Sequence, residues 1–171
     1  YRQARVIGLD QSEAMLQAGE AVRSQMRWSL PFLKANKASL ICADAEAMPI
    51  KGNSVSFVWS SLLLHWVDDV AKVLREAHRV LEVEGLLMFS VLGPDSFKEL
   101  RSSFADAYEH TLPFADLHDY GDLLLECGFS DPVMDVDRVT MHYQSLEDLL
   151  TDLRRNGGSS PTQGRCKSLF G

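Results

Sequence analysis

Cysteine is scarce in this chain of 171 residues: there are three, at 42, 127 and 166. They form no Cys-x-x-Cys pair and are too scattered for a disulfide framework. No Cys/His cluster has zinc spacing, so no metal site is expected. A reducing, cytoplasmic compartment is the expectation. Long apolar runs are missing too. None approaches the roughly 20 residues that span a bilayer, which argues against a membrane protein. No apolar stretch follows Tyr1-Arg2-Gln3-Ala4-Arg5, so the start is not read as a signal peptide. Positive charge is in the minority, 17 Lys and Arg against 24 Asp and Glu, for a net −7. That balance argues against a general nucleic-acid binder. Internal repeats are absent. What remains is the mix of a globular protein, 46% hydrophobic and 24% charged, in a chain long enough for one domain with a core.

The apolar runs alternate with helical patterns. Arg5 to Asp10 reads as a buried strand ending in an acid. Asp10 with Glu13 fits a capping box, and Ala14, Met15, Ala18, Ala21 and Val22 give the following helix its apolar face. Ser39 to Asp44 is a second strand ending in an acid. Met48-Pro49 breaks the chain and Lys51-Gly52-Asn53 turns it. Val55 to Ser60 is a third strand. Asp68 or Asp69 caps a helix whose apolar face is Val70, Val73, Leu74, Ala77, Val80 and Leu81, with Gly85 as its stop signal. Leu86 to Val91 is a fourth strand. Gly93-Pro94-Asp95 leads into a helix with Phe97, Leu100, Arg101 and Phe104. Leu117 to Cys127 reads as a helix ended by Gly128. Val133–Val136 and Val139–Tyr143 are expected as two last, antiparallel strands, and Leu146–Leu153 as a final helix. Residues 1–155 are expected to form the domain and 156–171 a loop or tail.

Strands alternating with helices imply an α/β fold with a mostly parallel sheet. Ligands of such sheets bind at the carboxyl ends of the strands. Asp10, Asp44 and Ser60 all sit at such ends, so one site could gather them. Each has a plainer reading: helix cap for Asp10, turn residue for Asp44, strand end for Ser60. His65 draws notice only for its pKa range, and Trp66 and Met15 could be ordinary core. His110, His118 and His142 show no ligand spacing.

The ordered set Asp10, then Ala43-Asp44-Ala45-Glu46-Ala47-Met48-Pro49, then Phe57-Val58-Trp59-Ser60-Ser61 resembles the class I S-adenosylmethionine-dependent methyltransferases over about residues 5–143. The resemblance implies a Rossmann-like three-layer sandwich with an antiparallel last strand. Leu64-His65-Trp66-Val67-Asp68-Asp69, Glu76-Ala77-His78-Arg79-Val80-Leu81, Gly93 to Arg101, Gly128 to Asp135 and Leu149 to Arg154 look like the BioC family, malonyl-[acyl-carrier protein] O-methyltransferases. That family methylates the free carboxyl of malonyl-acyl carrier protein at the entry to biotin's pimeloyl chain. Mitochondrial complex I assembly factors, arginine hydroxylases on the same fold, share much of the pattern. A hydroxylase-like relative, a non-catalytic assembly protein or a methyltransferase for another small acceptor is therefore the alternative.

The resemblance implies S-adenosylmethionine as cofactor. Asp10 would take the ribose hydroxyls, with Gln11 beside it. Asp44 would take the adenine amino group, with the Ala45 backbone beside it and Met15 against the ring. Ser60 would lie toward the methionine end. His65 and Trp66 would stand at the pocket, and Arg101 would grip the malonyl carboxylate through its planar fork. The family's Asp-x-Gly-x-Gly-x-Gly loop and first strand precede Val6 and are not in these residues, so weak cofactor binding is expected of this stretch alone. An acidic carrier protein would need a local basic surface, for which Lys98, Arg101, Arg154, Arg155, Arg165 and Lys167 are the candidates. The last four fall in a run after Leu153 that holds no acid, and a solvated tail is its plainer reading.

Overall fold

The computed structural model describes residues 5–29, 38–103 and 114–155, with side chains throughout except at 23–29 and 154–155. The chain divides into two compact units, one of residues 1–60 and 67–88, the other of 61–66 and 89–171. Among the described residues, no helix is long and apolar enough to cross a membrane.

In the first unit, β1 (Val6–Asp10) and β2 (Ala38–Cys42) pair in parallel, from Val6 opposite Ala38 to Asp10 opposite Cys42. The pairing reaches one residue further, where the Ala43 N–H donates to the Asp10 carbonyl at 3.1 Å. A Cβ at Gly8 would lie 2.9 Å from the end of the Leu40 side chain, which would have to turn aside. The strand at β1 is less buried than its apolar run implies: Val6 is 49% and Ile7 42% exposed. Its sheet has two strands among the described residues, so β2 covers one edge and leaves the other without a ladder.

α1 (Glu13–Ser29) follows β1, and its start differs from the expected capping box. Ser12 is the residue before the first helical position, and its Oγ accepts the Met15 N–H at 3.4 Å. Asp10 is still in the strand, and its Oδ1 accepts the Ser12 N–H at 2.7 Å. The acid closes the turn before the helix rather than capping the helix.

β3 (Val55–Ser61) and β4 (Leu81–Ser90) form a second two-stranded sheet, and α2 (Val70–Val80) connects them. Bonds from Asn53 N to Arg79 O, Ser54 N to Val80 O and Leu62 N to Ser90 O advance together along both strands, the order of a parallel pair. Asp69 caps α2 by accepting the Lys72 N–H at 2.9 Å. Val73, Leu74, Ala77 and Val80 form its buried stripe. The helix ends at Val80, not near Gly85. Gly85 instead sits inside β4 after Glu84, whose φ is 64°. A Cβ at Gly85 would come 2.8 Å from the Glu82 carbonyl, so this glycine permits a tight bend in a strand.

The second unit carries α3 (Lys98–Ser103), α4 (Leu117–Glu126) and α5 (Leu146–Arg155). Its buried apolar side chains include Leu64, Tyr120, Leu124, Cys127 and Leu153. Asp116 and Asp119 form a reciprocal capping box at the start of α4. At its end the Gly128 N–H bonds Leu125 O and the Phe129 N–H bonds Leu124 O, with Gly128 at φ 94°. This is the Schellman arrangement, which a glycine enters without strain. α3 begins only at Lys98, after Phe97 at φ 57°, and Phe104 lies outside the described residues.

The two expected last strands are not formed: residues 132–143 carry no ladder. Val133, Val136, Val139 and Met141 stay between 62% and 92% exposed. An alternating apolar pattern becomes a strand only where an edge is free to pair with it, and no such pairing is made among the described residues. The expected tail, 156–171, lies outside the described residues.

Candidate functional site

In the first unit the parallel register sets the site. Because Asp10 is opposite Cys42, the chain leaves β1 and β2 at the same end, and Asp44 follows two residues after Cys42. The Cys42 Sγ–H donates to the Gln11 carbonyl at 3.4 Å, a further tie between the two exits. Asp44 caps the short 3-10 turn Ala45–Ala47, its Oδ1 accepting the Glu46 N–H at 2.8 Å. Ala45 is buried behind it. Each acid thus spends Oδ1 on its own turn, Asp10 on Ser12 N–H and Asp44 on Glu46 N–H. A carboxylate has two oxygens and about four lone-pair sites, so Oδ2 of each can accept from a ligand. Met15 is 61% exposed on α1, and the core reading of it does not hold. Gln11 is also exposed. Ser60 ends the unit's share of β3, and its Oγ is buried with no hydrogen-bond partner.

In the second unit, His65 and Trp66 lie in a single 3-10 turn, Leu64–Trp66, anchored by the buried Leu64. The His65 ring is 5.3 Å from that of Trp66 and meets Phe114 edge-on at 5.7 Å. Phe97 lies 6.2 Å from Phe114. Burial pushes the His65 imidazole below its ordinary value of 6.5, so it is neutral near pH 7. Its Nδ1 has no partner, which fits a ring held by packing rather than by hydrogen bonds. Trp66 is 46% exposed, too open for core. Arg101 is half-buried on α3 and donates from Nη2 to the Pro94 carbonyl. Arginine has five N–H donors, so this bond fixes the guanidinium while leaving others to bind an anion. Lys98 lies 3.9 Å and Arg138 3.3 Å from Asp95. The side chains of Arg154 and Arg155, and residues Arg165 and Lys167, lie outside the described residues.

Two residues beside the Asp44 turn stand in the sequence only as part of a family-like string, with no role read for either. Glu76 and Arg79, on α2, reach back to the backbone of Met48 and Ile50. Paired hydrogen bonds from Arg79 hold the Glu76 carboxyl below the usual range, with the Met48 N–H adding to the effect. Glu-x-x-Arg spacing was the available signal, but on a helix it reads as a solvated surface pair.

A methyltransferase domain family model matches residues 1–89. Two curated proteins named malonyl-[acyl-carrier protein] O-methyltransferase are similar along the whole chain. That of Gallionella capsiferriformans is 42% identical over 173 residues, covering 100% of this chain and 59% of its own length. That of Coxiella burnetii is 40% identical, covering 100% of this chain and 55% of its own. The chain thus spans a little over half the length of these relatives. A solved Bacillus halodurans structure of a candidate methyltransferase superposes with a TM-score of 0.59 at 21% identity, over 74% of this chain and 53% of that one. That likeness shows the fold, a Rossmann-like α/β architecture.

Proposed function

Since this chain belongs to the methyltransferase domain family, we propose that the complete protein methylates the free carboxylate of a malonyl group on acyl carrier protein, with S-adenosylmethionine as donor. The reaction would take place in the cytoplasm, at the entry to biotin's pimeloyl chain. The reach of the likeness carries this reading. The family model stops at residue 89, whereas the likeness to malonyl-[acyl-carrier protein] O-methyltransferases runs on through the second unit. A general cofactor fold explains the first match and not the second.

The residues of the first unit fit the cofactor. Two acids leave adjacent parallel strands at one end, each with an oxygen to spare, and Ser60 Oγ is buried without a partner. Asp10 would accept from both ribose hydroxyls, with Gln11 beside it. Asp44 would accept from the adenine amino group, with the Ala45 backbone beside it and the exposed Met15 against the ring. Ser60 would face the methionine end. Bound there, S-adenosylmethionine supplies an electrophilic methyl on a sulfonium.

The acceptor needs little activation, because a carboxylate is already ionised near neutral pH. Its oxygen would gain the methyl group as a methyl ester, with the cofactor released as a thioether. The protein's part is alignment and exclusion of water. Arg101 would hold the malonyl carboxylate, and Trp66 and the neutral His65 would wall the pocket. The test is an assay of the complete protein with methyl-labelled cofactor and malonyl-loaded carrier protein. Label should enter the malonyl carboxyl as a base-labile ester. Labelling absent there, but present on another acceptor class, would sink the reading.

A further inference from the structure

The Asp44 turn hangs on α2 at two points. Near the start of the helix, Glu46 accepts the Asp69 N–H at 3.2 Å through Oε1 and the Lys72 ammonium at 3.1 Å through Oε2. Further along, Glu76 and Arg79 hold the other side of the turn. Glu76 Oε2 accepts the Met48 N–H at 2.8 Å. Arg79 binds Glu76 in a fork, Nε to Oε1 at 2.6 Å and Nη2 to Oε2 at 2.8 Å. The same guanidinium donates from Nη1 to Ile50 O at 2.8 Å and from Nη2 to Met48 O at 2.9 Å. The Arg79 carbonyl receives the Asn53 N–H at 2.9 Å. One helical residue therefore binds the main chain at 48, 50 and 53, just after the turn that carries Asp44 and Ala45.

These bonds exceed what a solvated ion pair needs. An exposed i, i+3 pair is worth little and fixes nothing beyond its own helix. Here the pair satisfies one N–H and two carbonyls of a segment that Pro49 keeps out of regular structure. Only arginine has the planar fork to serve a carboxylate and two carbonyls together.

We infer that Glu76 and Arg79 are positioning residues for nucleobase recognition, acting through the Met48–Ile50 backbone on the Asp44 carboxylate and the Ala45 N–H. The inference rests on the reading of Asp44 as the acceptor of the adenine amino group. A carboxylate in a fixed place favours a 6-amino purine and repels a 6-oxo one. A carboxylate on a loosened turn discriminates less.

The experiment uses the complete protein and two probes, S-adenosylhomocysteine and S-inosylhomocysteine, which differ at that position. Binding of each is measured by calorimetry, and unliganded melting temperature is recorded beside it. In Glu76→Ala and Arg79→Lys the preference for the adenosyl probe should fall about fivefold or more, roughly the worth of one net hydrogen bond. Glu76→Gln keeps an acceptor for the Met48 N–H and should retain most of the preference. It and Arg79→Lys carry the test if Glu76→Ala does not fold. A merely structural pair would lower the melting temperature and leave the preference unchanged. That result, with the preference lost in Asp44→Asn, overturns the inference alone. A preference that also survives Asp44→Asn overturns the adenine reading beneath it.

Discussion

Replacing Asp44 by Asn sets two demands on one oxygen. In the wild type Oδ1 accepts the Glu46 N–H at 2.8 Å, and on the proposed reading Oδ2 would accept from the adenine amino group. Asparagine has a single carbonyl oxygen, and its other terminal atom is a donor. With the oxygen on the turn, the amide N–H2 faces the adenine amino group, donor against donor. With the amide reversed, the turn loses its cap. Without ligand the first arrangement costs little, because Asn and Asp cap about equally well, within about 0.5 kcal/mol. With ligand, a hydrogen bond to a charged acceptor is lost, worth about 1.5–3 kcal/mol, or about 10- to 150-fold in Kd. Asp44 is exposed before the ligand covers it, which places the expected loss toward the lower end. Asp44→Ala should show the same loss of affinity and a further destabilisation of about 1 kcal/mol, from the missing cap. Calorimetry with S-adenosylhomocysteine and thermal melts of the unliganded protein measure the two effects separately. An Asp44→Asn protein that binds within twofold of wild type would refute the reasoning.

Asp10→Ala should weaken binding of the same ligand by about 1–3 kcal/mol; unchanged affinity in a folded variant would remove Asp10 from the site. Arg101→Lys keeps the charge and loses the fork, so it should cut methylation of malonyl carrier protein severalfold. Full activity, with acetyl carrier protein competing as well as malonyl, would return Arg101 to the surface. Leu74→Ala, at a side chain 1% exposed, should cost about 2–5 kcal/mol in denaturant unfolding. Because burial lowers the His65 pKa from 6.5, the unfolded chain takes up a proton that the folded one resists. The stability present above that pH is lost as pH falls through 6.5 toward the folded value. His65→Phe should flatten the fall of melting temperature between about pH 7 and pH 5, and an unchanged slope would clear His65 of it.

Local signals proved the most legible. Asp69 caps α2 and Gly128 ends α4, because cap chemistry acts within one turn and is written in adjacent residues. Gly85 misled, since a glycine five residues after a helix serves a bend in a strand as readily as a helix stop. The alternation at 133–143 misled for a different reason. Periodicity states which faces a strand would have, and pairing needs an edge that the periodicity does not mention. The contacts of Glu76 and Arg79 were hidden because their partners, Met48 and Ile50, lie 28 to 31 residues away. No window of sequence joins them, and the helix alone makes them look ordinary.

Asp10 and Asp44 have a plain and a functional reading in the sequence, and the turn hydrogen bonds they make are compatible with both. A carboxylate that only closed a turn could be replaced by serine or threonine, which have one oxygen. Here the oxygen spent on the turn orients the other. Ser12 N–H fixes Asp10 Oδ1 at 2.7 Å and Glu46 N–H fixes Asp44 Oδ1 at 2.8 Å, so the plane of each carboxylate is set before any ligand arrives. Preorganised acceptors lose less side-chain freedom on binding than free ones. The parallel register then fixes the spacing of the two acids, since Asp10 opposite Cys42 puts both at the exit of their strands. On the proposed reading the cap is the means by which the acid would become a site, and Asp44→Ser separates the two roles. Its hydroxyl can keep the Glu46 N–H, so melting temperature should hold, while the oxygen proposed to read the base is gone. If affinity for S-adenosylhomocysteine held as well, the second oxygen of Asp44 would have no part in binding.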